Sequence, residues 1–207
     1  MNTTLTGVLQ ESRQRGFLGP GPVEDHVRHA LGFVEGVGEA PSAAVDLGSG
    51  GGVPALVLAT THWHQCSWVL LDSQLRRIEF LNWAVQELGL DDRVEVCGER
   101  AEDFARSPER RGRYDLVTAR SFGPPGVTAE CAAPLLCPGG TLVVSEPPTG
   151  SLIDRWPNAG LAELGLGPAR ETVSTDRQTH LASMTLVSEV SDRYPRRVGI
   201  PSKRPLF

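Results

Sequence analysis

The chain has 207 residues, 40% of them apolar, and a formal net charge of −5, which suits one domain with a sizeable core and short extensions. No apolar run approaches the roughly 20 residues of a membrane helix, and the start lacks a basic stretch followed by an apolar segment, so we expect neither a membrane span nor a secretory signal. The four cysteines have no Cys-x-x-Cys spacing and no evident histidine partners. We therefore expect a cytoplasmic protein with reduced thiols, no metal site and a monomeric state.

The first 42 residues predict a short helical extension. One helix is expected before Arg15 and another from Val23 to Val37, because Gly19-Pro20-Gly21-Pro22 breaks the pattern between them. A single main domain is predicted over residues 43–192, and a basic tail over residues 193–207.

A glycine-rich turn follows the first predicted strand. The apolar run Ala43 to Leu47 carries an acid at Asp46 and breaks into four glycines from Gly48 to Gly52, after which a helix-like stretch runs from Pro54 to Ala59. Glycines allow a sharp turn and a close approach of ligand to backbone, and the N–H groups at the next helix start point at that ligand.

The spacing of this turn discriminates between cofactors. Counted from Gly48, the last place of the dinucleotide fingerprint Gly-x-Gly-x-x-Gly falls on Val53, so nicotinamide and flavin are disfavoured. An aspartate two residues before the first glycine fits S-adenosylmethionine (SAM), whose ammonium can lie near a carboxylate. Asp46, Gly48 and Gly50 are therefore candidate cofactor residues. Alone, a glycine-rich turn is weak evidence, because any strand-to-helix corner can contain one.

The second predicted strand, Trp68 to Leu71, also ends in an acid. Asp72 lies 24 residues after Gly48, near the spacing at which an acid receives a ribose hydroxyl in doubly wound folds. An amphipathic helix is predicted from Ser73, as its cap, to Gly89. A helix-capping role for Asp72 itself remains the alternative.

Later strands repeat this arrangement. Glu102 and Asp103 follow a third strand, where they are expected either to contact the adenine edge of the cofactor or to stabilise a helix dipole. Arg120 ends a fourth strand, where it is expected either to bind a ligand or to form a surface ion pair. The elements predicted after the second strand are strands Arg93–Cys97, Tyr114–Arg120, Thr141–Ser145, Arg170–Ser174 and Leu181–Glu189, helices Ala132–Leu136 and Leu152–Leu164, and a turn at Pro138-Gly139-Gly140.

Alternating strands and helices predict an α/β fold with a mostly parallel, seven-stranded sheet and helices on both faces, the Rossmann-like class I fold of SAM-dependent methyltransferases. Ligands of such sheets bind at the carboxyl ends of the strands. Gly48, Asp72, Glu102 and Arg120 all fall there.

The tail from Arg193 to Phe207 contains five basic residues and no acid. Such a charge run is either a solvated terminus or a surface that holds an RNA backbone.

Several of these motifs together resemble the bacterial small-subunit ribosomal RNA methyltransferase G family. The matching stretches are Asp46–Pro54, Leu70–Ser73 with Arg76-Arg77 and Phe80-Leu81, Arg100–Phe104, Ala119–Phe122 and Tyr194–Leu206. The resemblance implies methylation of guanine N7 in 16S rRNA, alone or in the small ribosomal subunit, with SAM as donor. It also implies SAM contacts at Gly48, Val53, Ala101, Glu102 and Arg120, whereas Asp72 follows from the ribose spacing.

Catalytic roles are assigned to two residues. Arg120 is expected to hold the donor side, and Phe122 either stacks on the target base or packs in the core. The Asn/Asp-Pro-Pro-aromatic signature of adenine-amino methylation is absent after the fourth strand, and the cysteines lie too late for a cytosine C5 nucleophile.

The chain departs from the family where Ser145-Glu146-Pro147-Pro148 replaces a lysine followed by glycine. Glu146 is expected to place negative charge where a phosphate or base approaches. The alternatives are therefore a SAM-dependent methyltransferase of a small molecule or another RNA, and a non-catalytic ribosome-binding relative.

Overall fold

The computed structural model describes residues 4–207, and the first three residues of the predicted extension lie outside the described part. Its seven strands form one sheet of order β3-β2-β1-β4-β5-β7-β6. The first five strands in this order pair in parallel, and β7 pairs antiparallel with both β5 and β6. The strands are β1 (Ala43–Leu47), β2 (Ser67–Leu71), β3 (Val94–Cys97), β4 (Tyr114–Ala119), β5 (Leu136–Glu146), β6 (Arg170–Val173) and β7 (His180–Thr185).

Helices cover both faces of this sheet. The α-helices are α1 (Leu5–Gln14), α2 (Val23–Gly32), α3 (Ala55–Thr61), α4 (Leu75–Glu87), α5 (Ala101–Arg106), α6 (Pro125–Ala132), α7 (Leu152–Arg155), α8 (Asn158–Glu163) and α9 (Ile200–Lys203). Short 3₁₀ turns follow α2 (Phe33–Gly36) and α6 (Ala133–Leu135).

The central strands are buried on both faces, so alternate side chains enter two different cores. On β1, Ala44 joins a cluster with residues of α1, α3 and α4, whereas Val45 and Leu47 join a second cluster with α5, α6, α8 and Tyr194 of the tail. The predicted α/β fold is therefore confirmed, and the carboxyl ends of the parallel strands meet at one edge of the sheet.

The region between α6 and β5 differs from the sequence prediction. The helix expected at Ala132–Leu136 is wrong: α6 begins earlier, with Pro125 at its first position, and only a 3₁₀ turn precedes β5. The turn expected at Pro138-Gly139-Gly140 is also wrong, because these residues lie inside β5. They form its irregular part, where the register with β4 shifts and Gly139 has a φ of +82°.

Three other predicted elements differ. The helix predicted from Leu152 to Leu164 is two helices, because Pro157 has no N–H to continue the first. The helix that starts at Val23 changes to a 3₁₀ turn after Gly32 and does not continue to Val37, while β7 ends at Thr185 instead of Glu189.

Ser73 is not a helix cap. The helix α4 begins at Leu75 without a side-chain cap from its own N-cap residue, Gln74, and Asp72 instead accepts a hydrogen bond from the Gln74 backbone N–H at 2.9 Å. This contact is an Asx turn just before the helix and does not cap the N–H groups of its first turn.

Candidate functional site

The glycine-rich turn connects β1 to α3 and needs its glycines for two separate reasons. Positive φ angles at Gly48, Gly50 and Gly52 require residues that adopt left-handed conformations. Gly51 is needed for space: a Cβ atom there would lie 2.5 Å from Ser12 Oγ and 2.8 Å from the Phe17 carbonyl oxygen. The turn is thus pressed against the N-terminal segment, and Ser12 Oγ donates a hydrogen bond to the Gly51 carbonyl.

Two cavities lie beside this turn at the carboxyl edge of the sheet. The main cavity, of about 250 Å³, is lined by five of the predicted site residues: Gly48, Asp72, Ala101, Glu102 and Phe122. The side cavity, of about 210 Å³, is bordered by Gly48 as well and by three further predicted residues, Gly50, Val53 and Arg120. Asp46 lines neither cavity and lies buried beneath the turn.

Asp72 ties the glycine-rich turn to the start of α4. Its Oδ2 accepts a hydrogen bond from the Gly50 N–H at 2.9 Å, and its Oδ1 accepts the Gln74 N–H. Arg77 Nη1 lies 3.6 Å from Oδ2. Each carboxylate oxygen has two acceptor sites, so these contacts leave acceptor capacity on the wall of the main cavity.

Glu102 is held by the C-terminal tail. Its Oε1 accepts a hydrogen bond from the Gly199 N–H at 2.9 Å and lies 3.4 Å from Arg100 Nη2. Burial acts to raise the pKa of this carboxyl, but the Gly199 hydrogen bond and the Arg100 charge outweigh it, so the pKa lies below its usual value. Glu102 is therefore ionised at neutral pH.

Asp46 has the opposite character. Its side chain is buried, Oδ1 accepts the Thr118 hydroxyl at 2.6 Å, and Oδ2 has no hydrogen-bond partner among residues 4–207. Burial raises the pKa of Asp46 to about 7, although the Thr118 hydrogen bond and the nearby Arg120 charge act to lower it. This acid can change charge near neutral pH.

Arg120 follows β4 and borders the side cavity. Its Nη2 donates a hydrogen bond to His26 Nδ1 at 2.8 Å, and its Nη1 is buried without a partner in the described part of the chain. Sequence reasoning missed His26, which lies 94 residues away and reaches the site only because α2 packs against α3.

Phe122 lies half-buried between the main cavity and the core. A Cβ atom on Gly48 would come within 2.8 Å of its Cδ2, so the ring packs directly on the glycine-rich turn. It also contacts the cluster formed by α5 and α6. Both predicted roles, base stacking and core packing, are compatible with this position.

The basic tail is docked on the domain. Arg196 donates three hydrogen bonds to Glu130, whose side chain on α6 is fully buried, and Arg193 pairs with Glu163 at 2.7 Å. Ser202 reaches the wall of the main cavity. The other three basic side chains, Arg197, Lys203 and Arg204, are exposed and form no ion pair within residues 4–207.

The expectation that Glu146 presents a free negative charge is wrong. Its side chain is 7% exposed and forms an ion pair with Arg155, while Trp156 Nε1 donates to its Oε1 at 3.0 Å. The charge is neutralised inside the protein, so it does not repel a phosphate.

Neither a metal nor a cysteine nucleophile is suggested by the described residues. No group of three or more His, Cys, Asp or Glu side chains in residues 4–207 could hold a metal ion. Cys131 reaches the main cavity, but burial raises the pKa of its thiol far above neutral. No helix in this part of the chain is long and apolar enough to cross a membrane.

Solved structures with the same fold include methyltransferases. The chain is similar to the O-methyltransferase of Bacillus cereus in complex with S-adenosylhomocysteine (SAH), with a TM-score of 0.60, 20% identity, and coverage of 86% of this chain and 88% of that one. A SAM-dependent O-methyltransferase of Thermotoga maritima gives a TM-score of 0.59 at 14% identity, with 89% and 72% covered. At these identities the likeness shows the fold alone.

Sequence comparison gives a narrower result. The family model described as rRNA small subunit methyltransferase G matches residues 22–146. The protein of Deinococcus deserti named ribosomal RNA small subunit methyltransferase G is 35% identical over 79% of this chain and 68% of its own length. The protein of that name from Thermotoga petrophila is 36% identical over 82% and 74%. This chain belongs to the rRNA small subunit methyltransferase G family.

Proposed function

We propose that this protein transfers a methyl group from SAM to N7 of a guanine in 16S rRNA, either in the free RNA or in the small ribosomal subunit. The observation that carries the proposal is the meeting of the glycine-rich turn, Asp72 and Glu102 around one cavity at the carboxyl ends of the strands. The names of the relatives support the RNA substrate, and the SAH complex of the Bacillus cereus enzyme supports the cofactor.

Two buried polar atoms without a partner, one on Arg120 at the border of the side cavity and one on Asp46 beneath the glycine-rich turn, fit the cofactor. Asp46 Oδ2 and Arg120 Nη1 both lack a hydrogen-bond partner among residues 4–207, so one acceptor and one cationic donor remain unsatisfied. The methionine end of SAM carries an ammonium and a carboxylate, which complement them. Asp72 would hold the ribose, and Ala101 and Glu102 the adenine, with Gly48, Gly50 and Val53 forming the surface against which the cofactor lies.

The residues present suit a reaction that depends on orientation. Bound SAM supplies a methyl group activated by its positively charged sulfur. Guanine N7 has an exposed lone pair, so no proton must be removed before transfer and no general base is required. Arg120 holds the donor side and Phe122 offers a face on which the guanine stacks, which together fix the two reactants in line.

Positive charge beside the main cavity suits an RNA backbone. Arg197, Lys203 and Arg204 are exposed on the tail whose Ser202 lines this cavity, and Arg76 is exposed in the first turn of α4. Lysine and arginine side chains that neutralise phosphates supply most of the non-specific affinity for nucleic acids. The net charge of −5 is that of the whole chain, and it is compatible with exposed basic side chains beside the site.

The proposal is tested by methyl transfer to small ribosomal subunits with two arginine variants from opposite ends of β4. Arg120→Ala should lower kcat/KM by roughly 10- to 100-fold, the factor expected when a hydrogen bond to a charged group is lost. Arg113→Ala removes an exposed arginine just before β4 and should change it less than about twofold. Equal activity of Arg120→Ala and wild type would remove Arg120 from the site.

A further inference from the structure

The contact between α2 and Arg120 determines the protonation state of His26. A guanidinium has only donors, so His26 Nδ1 must accept the hydrogen bond from Arg120 Nη2 at 2.8 Å. The Gly19 carbonyl can only accept, so His26 Nε2 must donate to it at 3.1 Å. The imidazole is therefore neutral, with its proton on Nε2, and lies between the Gly19 carbonyl and the Arg120 guanidinium.

This contact orients Arg120 without neutralising it. No carboxylate pairs with Arg120 within residues 4–207, and the only side chain that accepts a hydrogen bond from it there is this neutral imidazole. A carboxylate in the same position would cancel the guanidinium charge and compete with any anionic ligand group. An imidazole fixes the direction of Nη2 and leaves the guanidinium charge unpaired at the border of the side cavity, with Nη1 buried and without a partner.

We propose that His26 is a positioning residue for the cofactor: it holds Arg120 in the orientation that binds the methionine end of SAM or SAH. This inference rests on the proposed function, since it takes SAM as the cofactor. It extends the site to the N-terminal extension, because His26 is on α2 and its second contact is to Gly19.

Protonation of His26 would break this arrangement, because a cationic imidazole can accept no hydrogen bond and repels the guanidinium. The charged and titratable groups that face it are Arg120 and Arg13, whose charges oppose protonation, Asp25, which favours it, and His29 on the next turn of α2. Burial, the larger cause, together with these cations holds the pKa of His26 below its usual value. Asp46, near Arg120, has a pKa raised to about 7 by burial, so its titration must be separated from that of His26.

Two substitutions separate the two contacts of the imidazole. In His26→Asn the amide oxygen occupies the position of Nδ1 and can still accept from Arg120. In His26→Gln the amide nitrogen occupies the position of Nε2 and keeps the Gly19 contact, whereas the acceptor for Arg120 is lost. The readout is the Kd of SAH by titration calorimetry from pH 5 to 8, which requires no RNA. His64→Gln, in an exposed turn, is the control for removal of a histidine.

His26→Gln should weaken SAH binding by roughly 10- to 100-fold at pH 7.5, and His26→Asn by less than about threefold. In the Arg120→Ala background His26→Gln should have less than about a twofold further effect, because the two residues act as a unit. At any pH at which protonation of His26 weakens SAH binding by the wild type, His26→Asn should bind more tightly than the wild type, because the amide does not titrate.

Two results would overturn the inference while leaving SAM binding intact: wild-type affinity in His26→Gln, or the same loss from His26→Gln in the Arg120→Ala background. If His26→Gln does not fold, the ¹⁵N chemical shifts of the His26 ring in the wild-type protein show which nitrogen carries the proton. A proton on Nε2 is expected, and a proton on Nδ1 would contradict the hydrogen bond from Arg120. Wild-type protein that binds no SAH at any pH would refute the proposed function and this inference with it.

Discussion

The contact between Glu130 and Arg196 gives the sharpest test of how the tail is attached. Glu130 is fully buried on α6 and accepts hydrogen bonds from the Arg196 backbone N–H, Nε and Nη2 at 2.8, 2.9 and 2.6 Å. Arg196→Met removes two of these donors and the compensating charge. Removing one partner of a buried pair costs about 3–5 kcal/mol, because the other charge stays buried without compensation.

For a chain of this length, that loss corresponds to a fall in Tm of roughly 6–20 °C. The assay is urea unfolding monitored by tryptophan fluorescence, with Tm measured in parallel. Arg193→Met is the matched control: it breaks the exposed pair with Glu163 in the same tail and should cost less than about 1 kcal/mol. The double variant Glu130→Met with Arg196→Met should recover most of the stability, since apolar replacements of both partners are often neutral.

A loss below about 1 kcal/mol in Arg196→Met, or a double variant no more stable than Arg196→Met, would refute this reasoning. The same substitution should also weaken SAH binding, because Gly199 and Ser202 of the docked tail contact Glu102 and the main cavity.

Three further predictions concern the turn and the cavities. Gly51→Ala should lower the free energy of unfolding by about 1–3 kcal/mol, because its Cβ would overlap backbone as well as side-chain atoms. Gly38→Ala is the control: a Cβ there would have no atom within 4 Å, and the change should be less than about 0.5 kcal/mol. Equal effects of the two substitutions would contradict the packing argument. Asp46→Asn should stabilise the fold more at pH 8 than at pH 5, because the pKa of Asp46 in the folded state is raised to about 7 and the stability that this carboxyl contributes is lost as the pH rises through that value. Chemical unfolding at both pH values tests the sign. An equal effect at the two pH values would contradict the raised pKa. Phe122→Ala should raise the KM for small ribosomal subunits about tenfold with little change in SAH affinity; the reverse pattern would assign Phe122 to support of the turn.

The parts of the site that are predictable from sequence are those encoded locally. The run from Asp46 to Pro54 combines a buried strand with a turn that only glycines permit, and the acid after β2 follows the same strand-end rule. These signals lie within a few residues of each other, and parallel pairing then brings the strand ends together.

The parts that were not predictable depend on contacts between distant segments. The charge of Glu146 is cancelled by Arg155, with a further hydrogen bond from Trp156 Nε1, and that of Glu130 is cancelled by Arg196 of the tail, 66 residues away. The sequence alone does not distinguish such buried, paired acids from acids that face solvent or substrate. Likewise, His26 has no motif of its own, and only the packing of α2 beside the glycine-rich turn connects it with Arg120.

The prediction for the region after α6 was wrong for a different reason. Prolines and glycines normally end strands, so Pro138-Gly139-Gly140 predicts a turn. Inside β5 they instead accommodate a shift of register, because Gly140 lies against the Tyr114 carbonyl oxygen, where a Cβ would come within 2.8 Å. A bulge and a turn share the same residue preferences, so the sequence alone does not distinguish them.

The most direct test of the proposed function is transfer of tritium from methyl-labelled SAM to 16S rRNA and to small ribosomal subunits, with nucleoside analysis of the product. The expected result is labelled 7-methylguanosine in at least one of the two substrates, together with its loss in Arg120→Ala. SAH binding by the wild-type protein without label in either RNA would contradict the account, and would mean that the cofactor site serves a different substrate.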